Sequence, residues 1–511
     1  MNSGSDQKKI IIVGAGVSGL TAAIFGQKNN FSTEIFEKNP VAGGLCRCWT
    51  RNGYKIDGCI HWLTGTKQGT PLRNLWDELG AFSDDEIIND DNFGSIEIAG
   101  KTITFWADLE KFRAELLEIS PQDKRRINKT ISFIKKFQNM HLPVEVPLSL
   151  MKIRDFLTVG KDMALLLPAY LKCTNMMSHS NAEKFKSSIL KEALKHIIPD
   201  NTNLYSALYS YGSFASGNGA VLANGSDTLV NNLVSSYYEK GGKIHFNSDI
   251  KQVMMDGKKA IGIELNNGDK YYADYVVLAT DPFNGKKLVE EEQNFKFFEK
   301  HLSDTKNYPV PYCVLLTFAV DKKALDSLNL TKIYTFKTDE FLVGKSKINC
   351  IKLRDYSYDS NFIKDEKTVL QVMISQKDTD YEFWNSFENK EEYNNAKMQI
   401  AHVVLEKITE KFPVLSEKIE IIDVCTQKTF ERYTRSYHGS IQPFIWTAKG
   451  KMLNHNGKIG NIENLYISSQ WGITPGGLPI AMLSGKFTIQ RILKCEGRNF
   501  RITKRIKFKA Y

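Results

Sequence analysis

The chain has 511 residues, of which 42% are hydrophobic and 25% are charged, and its net charge is +10. This length exceeds one ordinary hydrophobic core, so we expect two domains or one two-lobed enzyme. The composition excludes a disordered or collagen-like chain, and the charge is too mild for the length to indicate a nucleic-acid partner. The eight cysteines are scattered, which is typical of a reducing compartment rather than a disulfide framework.

The first predicted elements are a buried strand over residues 8–13, a glycine-rich turn and a helix. Gly14, Gly16 and Gly19 form a G-x-G-x-x-G motif, whose glycines allow a tight turn, a close approach to a pyrophosphate and close packing of the helix. Glu37 ends the next strand, 23 residues after Gly14, where an acid hydrogen-bonds ribose hydroxyls. The pattern predicts a dinucleotide site but does not choose between FAD and NAD. The predicted site also includes Ala15, Ser18 and Lys38, which lie beside these residues in the sequence.

Residues 71–219 are richer in helical patterns and bulky apolar side chains. Apolar residues recur at helical spacing over residues 148–172. Core packing is the commoner meaning of such a stripe, and a helix that dips into a membrane is the alternative. No apolar run reaches the roughly 20 residues that span a bilayer. We interpret the aromatic segment "SALYSYGSF" at 206–214 as mainly core, with tunnel lining as the alternative.

Residues 220–285 show a helix that stops at Gly241-Gly242 and then strands at "KIHF", "IKQVMM", "AIGIEL" and "YYADYVVLAT". Turn signals separate these strands. We therefore predict a discontinuous cofactor domain made of residues 1–70, 220–285 and 420–496. Residues 71–219 and 286–419 would form a second, substrate-binding domain.

The final segment, residues 497–511, carries six basic side chains and no acid, with apolar residues between them. Such a tail suits an anionic membrane surface, and a solvated terminus is the alternative. No signal peptide pattern precedes the first strand. We expect a cytoplasmic protein with peripheral membrane contact.

Two further stretches carry a resemblance. The stretch "EKNPVAGGLCRCWTRNGYKIDGCIHWLTG" resembles the FAD-binding opening of glutathione-reductase-type flavoproteins, and more closely that of the phytoene desaturase, carotenoid isomerase and retinol saturase superfamily. Gly43 and Gly44 match its glycine doublet, and Asp57, Gly58 and His61 match a D-x-G-x-H-like element. "ENLYISSQWGITPGGLPIAMLSGKFTIQRIL" resembles the C-terminal flavin motif. Asn224-Gly225 stands where many members carry Gly-Gly, a tolerable departure because asparagine also reaches positive φ.

The resemblance implies an α/β fold with a Rossmann-like, glutathione-reductase-type FAD-binding domain and an inserted mixed α+β substrate domain. It implies an FAD-dependent oxidoreductase or isomerase that acts on carbon–carbon double bonds of a lipophilic, carotenoid- or retinoid-like substrate. Because a second G-x-G-x-x-G is missing, we expect an external electron donor or acceptor: a quinone, oxygen or a redox protein. The further cofactor contacts that it implies are Gly43, Gly44, Leu45, His61, Ile250, Ala279, Thr280, Trp471, Gly476, Gly477, Leu478 and Pro479.

His61 is the candidate catalytic residue, as a proton donor in a saturase-like reaction. A structural hydrogen bond within its hairpin is the alternative. Two other functions stay open: a flavin amine oxidase, which shares the fold and both terminal motifs, and a flavin-binding protein without turnover. Cys46 and Cys48 form a C-x-C pair without a second pair nearby, so we predict no metal site.

Overall fold

A parallel sheet forms the centre of the cofactor-binding region. The computed structural model describes residues 7–164, 166–196, 202–289 and 295–502. In it, five strands pair in the order β10-β2-β1-β14-β21, all parallel. Their near-continuous apolar runs, such as "KIIIV" and "YVVL", are typical of strands that are buried on both faces. The strands are β1 (Lys9–Val13), β2 (Ser32–Phe36), β10 (Lys243–His245), β14 (Tyr275–Leu278) and β21 (Leu465–Ile467).

The two faces of this sheet are covered by different layers. Ile10 and Ile12 pack in one cluster with three helices, whereas Ile11 and Val13 pack in another with a small antiparallel sheet. This division follows from the alternation of side chains along a strand. The helices are α1 (Val17–Lys28), α10 (Ser226–Glu239) and α17 (Leu478–Cys495), and the antiparallel strands are β11 (Ile250–Asp256), β12 (Lys259–Leu265) and β13 (Lys270–Tyr272).

The second region is built on an eight-stranded mixed sheet. Its order is β20-β15-β19-β17-β16-β7-β8, with β18 beside β19. Apart from β16 and β7, which are parallel, neighbouring strands are antiparallel. The strands are β7 (Asn92–Ile98), β8 (Lys101–Trp106), β15 (Tyr312–Asp321), β16 (Ile333–Val343), β17 (Ser346–Asp355), β18 (Ile363–Lys364), β19 (Lys367–Gln376) and β20 (Ile419–Cys425).

The sheet to which β20 belongs affects where the boundary between the two predicted domains is placed. The sequence places residues 420–425 in the cofactor domain, but β20 pairs with β15 in the mixed sheet, with Cys425 opposite Leu315. An apolar period does not say which sheet a strand joins. We propose to begin the third cofactor segment after Cys425. Helix α2 (Pro71–Leu79) likewise packs its apolar side chains with the core of α1, although the sequence assigns it to the insert.

Helices cover the rest of the second region. Helix α9 packs against α4 and α6, and Tyr205, Tyr211 and Phe214 of α9 are buried, so the aromatic segment is mainly core, as predicted. These helices are α3 (Leu109–Ile119), α4 (Lys124–Gln138), α5 (Ile153–Ala164), α6 (Leu167–Thr174), α7 (Ser178–Ala182), α8 (Ser188–Lys195) and α9 (Leu204–Ala215).

The remaining elements connect the two regions. A hairpin of β3 and β4 follows the glycine doublet, and β5, β9 and β6 form a small antiparallel sheet. No helix in the described part of the chain is long and apolar enough to cross a membrane. These elements are β3 (Cys48–Arg51), β4 (Tyr54–Asp57), β5 (Leu63–Thr64), β6 (Ile87–Ile88), β9 (Gly219–Leu222), α11 (Pro282–Lys286), α12 (Lys296–Leu302), α13 (Lys322–Asp326), α14 (Asp378–Asn385), α15 (Lys390–Lys411) and α16 (Gln427–Thr434).

The basic C-terminal tail and the apolar stripe over residues 148–172 each had two possible interpretations. Of the basic tail, residues 503–511 lie outside the described residues. Its beginning packs on α1, where the Phe500 ring lies 5.4 Å from that of Phe25. The apolar stripe, in contrast, is only partly core where it is described, because Leu166 and Tyr170 pack against the main cluster whereas other side chains are exposed. Its exposed side chains, with 46% to 81% of their surface accessible, are Ile153, Phe156, Leu157, Leu167 and Leu171.

Candidate FAD site and substrate cavity

The glycine loop after β1 has the geometry that the motif predicts. Gly14 has φ +103°, and a Cβ there would lie 2.8 Å from the Ala279 carbonyl oxygen. A Cβ on Gly19 would lie 2.1 Å from the carbonyl oxygen of Gly14, so the helix can approach the turn only without a side chain. At Gly16 a Cβ would meet nothing within 4 Å. Open space therefore lies in front of the N-terminus of α1.

The first turn of α1 leaves backbone donors for a ligand. Gly16 is its N-cap, and no side chain caps the helix there. The first amide groups of a helix lack partners within the helix, and its dipole favours an anion at this end. The open space and the uncapped amides together fit the pyrophosphate of a dinucleotide.

Glu37 lies where a ribose-binding acid is expected, and the chain itself holds it in place. Its Oε2 accepts a hydrogen bond from the Ala15 amide, and its Oε1 accepts from the Asn39 amide, both at 2.9 Å. Each carboxylate oxygen can accept a further bond, so Glu37 remains able to bind a ribose hydroxyl. Lys38 is directed elsewhere, because its Nζ donates to the Arg432 carbonyl oxygen at 3.2 Å.

The glycine doublet lies against the first loop. The Gly43 amide donates to the Ala15 carbonyl oxygen at 2.9 Å, and Gly43 forms a parallel bridge with Gly16. Leu45 packs instead toward a cluster with Cys313 and Leu315 of the mixed sheet. The doublet thus extends the loop toward the second region.

Other predicted cofactor residues meet at the carboxyl ends of the parallel strands. The Ala279 amide donates to the Val13 carbonyl oxygen at 2.9 Å, and Thr280 follows it at the same edge. The Ser18 hydroxyl donates to the Ser468 carbonyl oxygen at 2.8 Å, just beyond β21. Ile250 begins β11 and is buried. Ligands of open α/β sheets bind at this edge.

The C-terminal motif forms a second uncapped helix N-terminus. Gly477, with φ +85°, precedes Leu478 and Pro479 in the first turn of α17, and no side chain caps the helix. A Cβ on Gly476 would lie 2.1 Å from Pro443, so the segment "GSIQPF" at residues 439–444 packs on this turn. Trp471 is buried beside it. Such a terminus would hold the flavin end of FAD and stabilise negative charge there.

Asp57 of the D-x-G-x-H-like element has a structural role. Its Oδ1 accepts from the Cys59 amide and its Oδ2 accepts from the Ser226 amide, both at 3.0 Å. Burial raises the pKa of its carboxyl group. These bonds attach the β3–β4 hairpin to the start of α10. In the adjoining loop, Asn224 has φ +62°, the positive φ expected of an asparagine that stands where many family members carry glycine.

His61 lies in the wall of a small cavity, about 40 Å³ in volume, between the two regions. Burial, and then the charges of Arg354 and Lys352, hold the pKa of its imidazole well below the usual range. His61 is therefore neutral at pH 7. The cavity is mostly apolar and aromatic, and among its lining residues are His61, Trp62, Phe93, Phe214, Arg354 and Tyr358.

Arg354 is the residue of this site that the sequence did not predict. Its Nη2 donates to the carbonyl oxygens of Ile60 at 2.9 Å and His61 at 3.1 Å. The bonds join β17 to the loop before β5 across 293 residues of sequence. The only local signal is a charged side chain in an apolar strand segment, "CIKLRD", which gives no partner.

The model of the flavin-containing amine oxidoreductase family matches residues 17–411. The chain belongs to this family. Together with the two helix termini, which fit the two ends of FAD, this identifies an FAD-dependent oxidoreductase. The expected fold class is confirmed as well. Among the described residues, no group of three or more His, Cys, Asp or Glu side chains could hold a metal.

Several curated proteins are similar over nearly the whole chain. A 1-hydroxycarotenoid 3,4-desaturase of Flavobacterium sp. is 24% identical over 95% of this chain and 99% of its own length. The chloroplastic prolycopene isomerase of Arabidopsis thaliana is 21% identical over 94% and 82%. The all-trans-retinol 13,14-reductase of Danio rerio is 20% identical over 97% and 88%. The expected superfamily resemblance is thereby confirmed.

Solved structures share the fold. An oxidoreductase from Methanosarcina mazei superposes with a TM-score of 0.60 at 16% identity, covering 94% of this chain and 100% of its own. Cyclohexylamine oxidase from Brevibacterium oxydans superposes with a TM-score of 0.54 at 12% identity, covering 96% and 100%. At these identities the likeness establishes the fold alone.

Proposed function

We propose that this protein forms, reduces or isomerises a carbon–carbon double bond in a lipophilic, polyene-like substrate. The observation that carries the proposal is the aromatic cavity beside His61, which is lined by the loop before β5, by β9 and α9, and by strands of the mixed sheet. An apolar chain needs such an apolar cavity rather than a charged clamp. The three curated relatives, whose names cover desaturation, isomerisation and reduction, support the substrate class.

The neutral state of His61 bears on the direction of the reaction. FAD, when bound, supplies the hydride chemistry. Forming a double bond removes a hydride from one carbon and a proton from its neighbour, and a neutral imidazole accepts such a proton. The proton donation first predicted for His61 requires the imidazolium, which its lowered pKa disfavours. The same lowered pKa makes the imidazole a weak base, so we assign His61 the role of base, in desaturation or in isomerisation, from its place in the cavity wall and its neutral resting state.

We place the working enzyme at an anionic membrane surface in the cytoplasm. Helices α5 and α6 expose Ile153, Leu157 and Leu171, and an exposed apolar face of this kind marks an interaction surface. Lys172 of α6 lies close to Lys129 of α4, and the nearby ammonium group lowers the pKa of Lys129. Anionic lipid would relieve this repulsion. The cysteines form no disulfide bond with one another, which suits the cytoplasm.

Helix α9 connects this face to the cavity. Tyr205 packs edge-to-face against Tyr170 of α6 with ring centroids 5.0 Å apart. Nine residues along, Phe214 lies 5.0 Å from Phe93, which in turn lies 5.0 Å from Trp62 in the cavity wall. A lipophilic substrate leaving the bilayer at α6 would thus meet aromatic surface toward His61. Electrons would pass to or from an external quinone, oxygen or redox protein.

The test is turnover by the FAD-loaded protein. The holoprotein is incubated with an acyclic polyene in vesicles and a quinone, and products are separated by chromatography. We expect products with one more or one fewer double bond, or with altered double-bond geometry. Flavin reduction by putrescine or cyclohexylamine and by none of the polyenes would indicate an amine oxidase instead. Failure to bind FAD at all would reject the enzyme assignment.

A further inference from the structure

The guanidinium of Arg354 is buried in the cavity wall with part of its hydrogen-bonding capacity unused. Only 6% of the residue is exposed. Nη2 is occupied by the carbonyl oxygens of Ile60 and His61, while Nη1 has no hydrogen-bond partner among the described residues. The guanidinium also lies over the Tyr356 ring, 5.1 Å from its centroid. A buried donor without an acceptor is costly, so this one is a candidate for ligand binding.

The charges around Arg354 do not include a carboxylate bonded to it. Asp57 acts on it electrostatically, but the oxygens of Asp57 accept from Cys59 and Ser226. An acid in the cavity wall, Asp90, pairs with Lys332 at 2.9 Å. Lys352 adds a further positive charge near His61. Besides the Asp90–Lys332 pair, the cavity wall therefore holds a buried guanidinium that interacts with the Tyr358 side chain and keeps one donor, Nη1, without an acceptor among the described residues.

We propose that the substrate carries a carboxylate at the end of its apolar chain and that Arg354 binds this group through Nη1. The inference rests on the proposed function and narrows it to polyene acids. Charge-assisted hydrogen bonds of this kind are strong in a dry site. Trp62, Phe93 and Phe214 would contact the hydrocarbon part.

The position of Arg354 also predicts which bond reacts. Arg354 and His61 line the same cavity, and the guanidinium acts electrostatically on the imidazole, so the bound carboxylate would lie near the proposed base. The reacting bond would therefore lie close to the acidic end of the substrate rather than at the middle of a long chain.

The test compares an acid with its ester on the FAD-loaded protein. Retinoic acid and methyl retinoate are titrated separately, and binding is followed by the change in the flavin absorption spectrum. We expect the acid to bind about tenfold more tightly than the ester, because one charge-assisted hydrogen bond typically discriminates by this much. Arg354→Met should remove the difference by weakening acid binding, and Arg354→Lys should restore part of it.

Arg73→Met provides the matched control. Arg73 is also a buried arginine that donates to a backbone carbonyl, that of Thr66, but it pairs with Asp77 and Asp84 outside the cavity. This variant should keep the ratio of acid to ester affinity, since general destabilisation affects both ligands.

The outcomes separate the two proposals. Equal binding of acid and ester by the wild-type protein overturns the role of Arg354, whether or not its variants fold, and leaves the proposed function standing. If neither retinoid nor any other polyene binds the holoprotein, the proposed function fails. Turnover of an uncharged polyene at a central bond, with no preference for the acid, also contradicts the inference.

Discussion

The Ser18 hydroxyl donates a hydrogen bond of 2.8 Å to the carbonyl oxygen of Ser468, 450 residues further along the chain. The bond joins the first helix of the glycine loop to the strand that precedes the C-terminal motif. Close by, a Cβ on Gly485 of α17 would lie 2.6 Å from the carbonyl oxygen of Ser18. Both ends of the chain are therefore needed to position the two helix termini that would hold FAD.

Gly16→Val should abolish FAD retention without unfolding the protein. The new side chain would project into open space in the protein, which is where the pyrophosphate is expected. Flavin absorbance per mole of purified protein should fall about tenfold or more, given the close backbone approach that the motif provides. Gly160→Val is the control, because a Cβ there also meets nothing within 4 Å. A Gly16→Val protein that stays fully yellow would contradict the assignment.

Gly19→Ala should destabilise the fold itself. The added methyl group would lie 2.1 Å from the Gly14 carbonyl oxygen, and overpacking of this kind costs about 1–3 kcal/mol. Thermal unfolding followed by circular dichroism gives the change. Gly160→Ala, in the interior of α5, should instead stabilise by up to about 1 kcal/mol, because alanine favours the helix. Equal melting temperatures for the two variants would show that α1 can move away from the turn.

His61→Gln should lower kcat by about 10²-fold, the usual contribution of a positioned base, and leave FAD binding intact. Because the pKa of His61 is held well below its usual range, the wild-type kcat/KM should not fall as pH decreases through about 6.5, the ordinary histidine value. Rate measurements across this range check both points. Unchanged turnover by His61→Gln would reduce the residue to a structural role.

His455 should contribute to acid sensitivity of the fold. Its Nδ1 accepts a hydrogen bond from the Gly457 amide at 3.1 Å, and burial together with the charge of Arg491 lowers its pKa to about 4. A lowered pKa in the folded state gives stability that is present above about 6.5, the unfolded value, and that is lost as pH falls toward 4. His455→Gln should therefore lose less stability than wild type across this interval. Urea denaturation at each pH measures the free energy of unfolding, and an equal loss for wild type and His455→Gln would refute this contribution.

Leu157→Ser should weaken binding to vesicles that contain anionic lipid, by about threefold to tenfold for the loss of one inserted leucine. Leu157 is 62% exposed on α5. The matched control is Leu342→Ser on β16, where the leucine is 61% exposed on a different element. Sedimentation with vesicles measures binding. If both variants bind equally well, the face formed by α5 and α6 is not the membrane surface.

The sequence predicted the cofactor-binding edge because its information is local. Gly14, Gly16 and Gly19 each meet a requirement of one turn, and Gly477 marks the start of one helix. In the structure the first glycines follow β1, and Gly477 is the N-cap of α17. Spacing within a few residues determines such features, so no knowledge of distant packing is needed.

Features that depend on distant packing were not predicted. Arg354 meets His61 only because β17 of the mixed sheet lies beside the loop before β5. Likewise, the period of the stripe over 148–172 predicts helices but does not say which partner, if any, covers them. The pairing of strand β20 with β15 was not predicted for the same reason, because alternation identifies a strand but not its neighbours.

The strand order has a consequence for synthesis on the ribosome. The central strand β1 pairs with β14, and β14 pairs with β21 and so with residues that emerge more than 180 residues later. Until α17 has left the ribosome, one edge of the parallel sheet and one of the two helix termini for FAD are missing. Cofactor capture should therefore be post-translational, and a nascent chain truncated anywhere before α17 should be recognised by its exposed sheet edge and degraded rather than accumulate as a partly active flavoprotein.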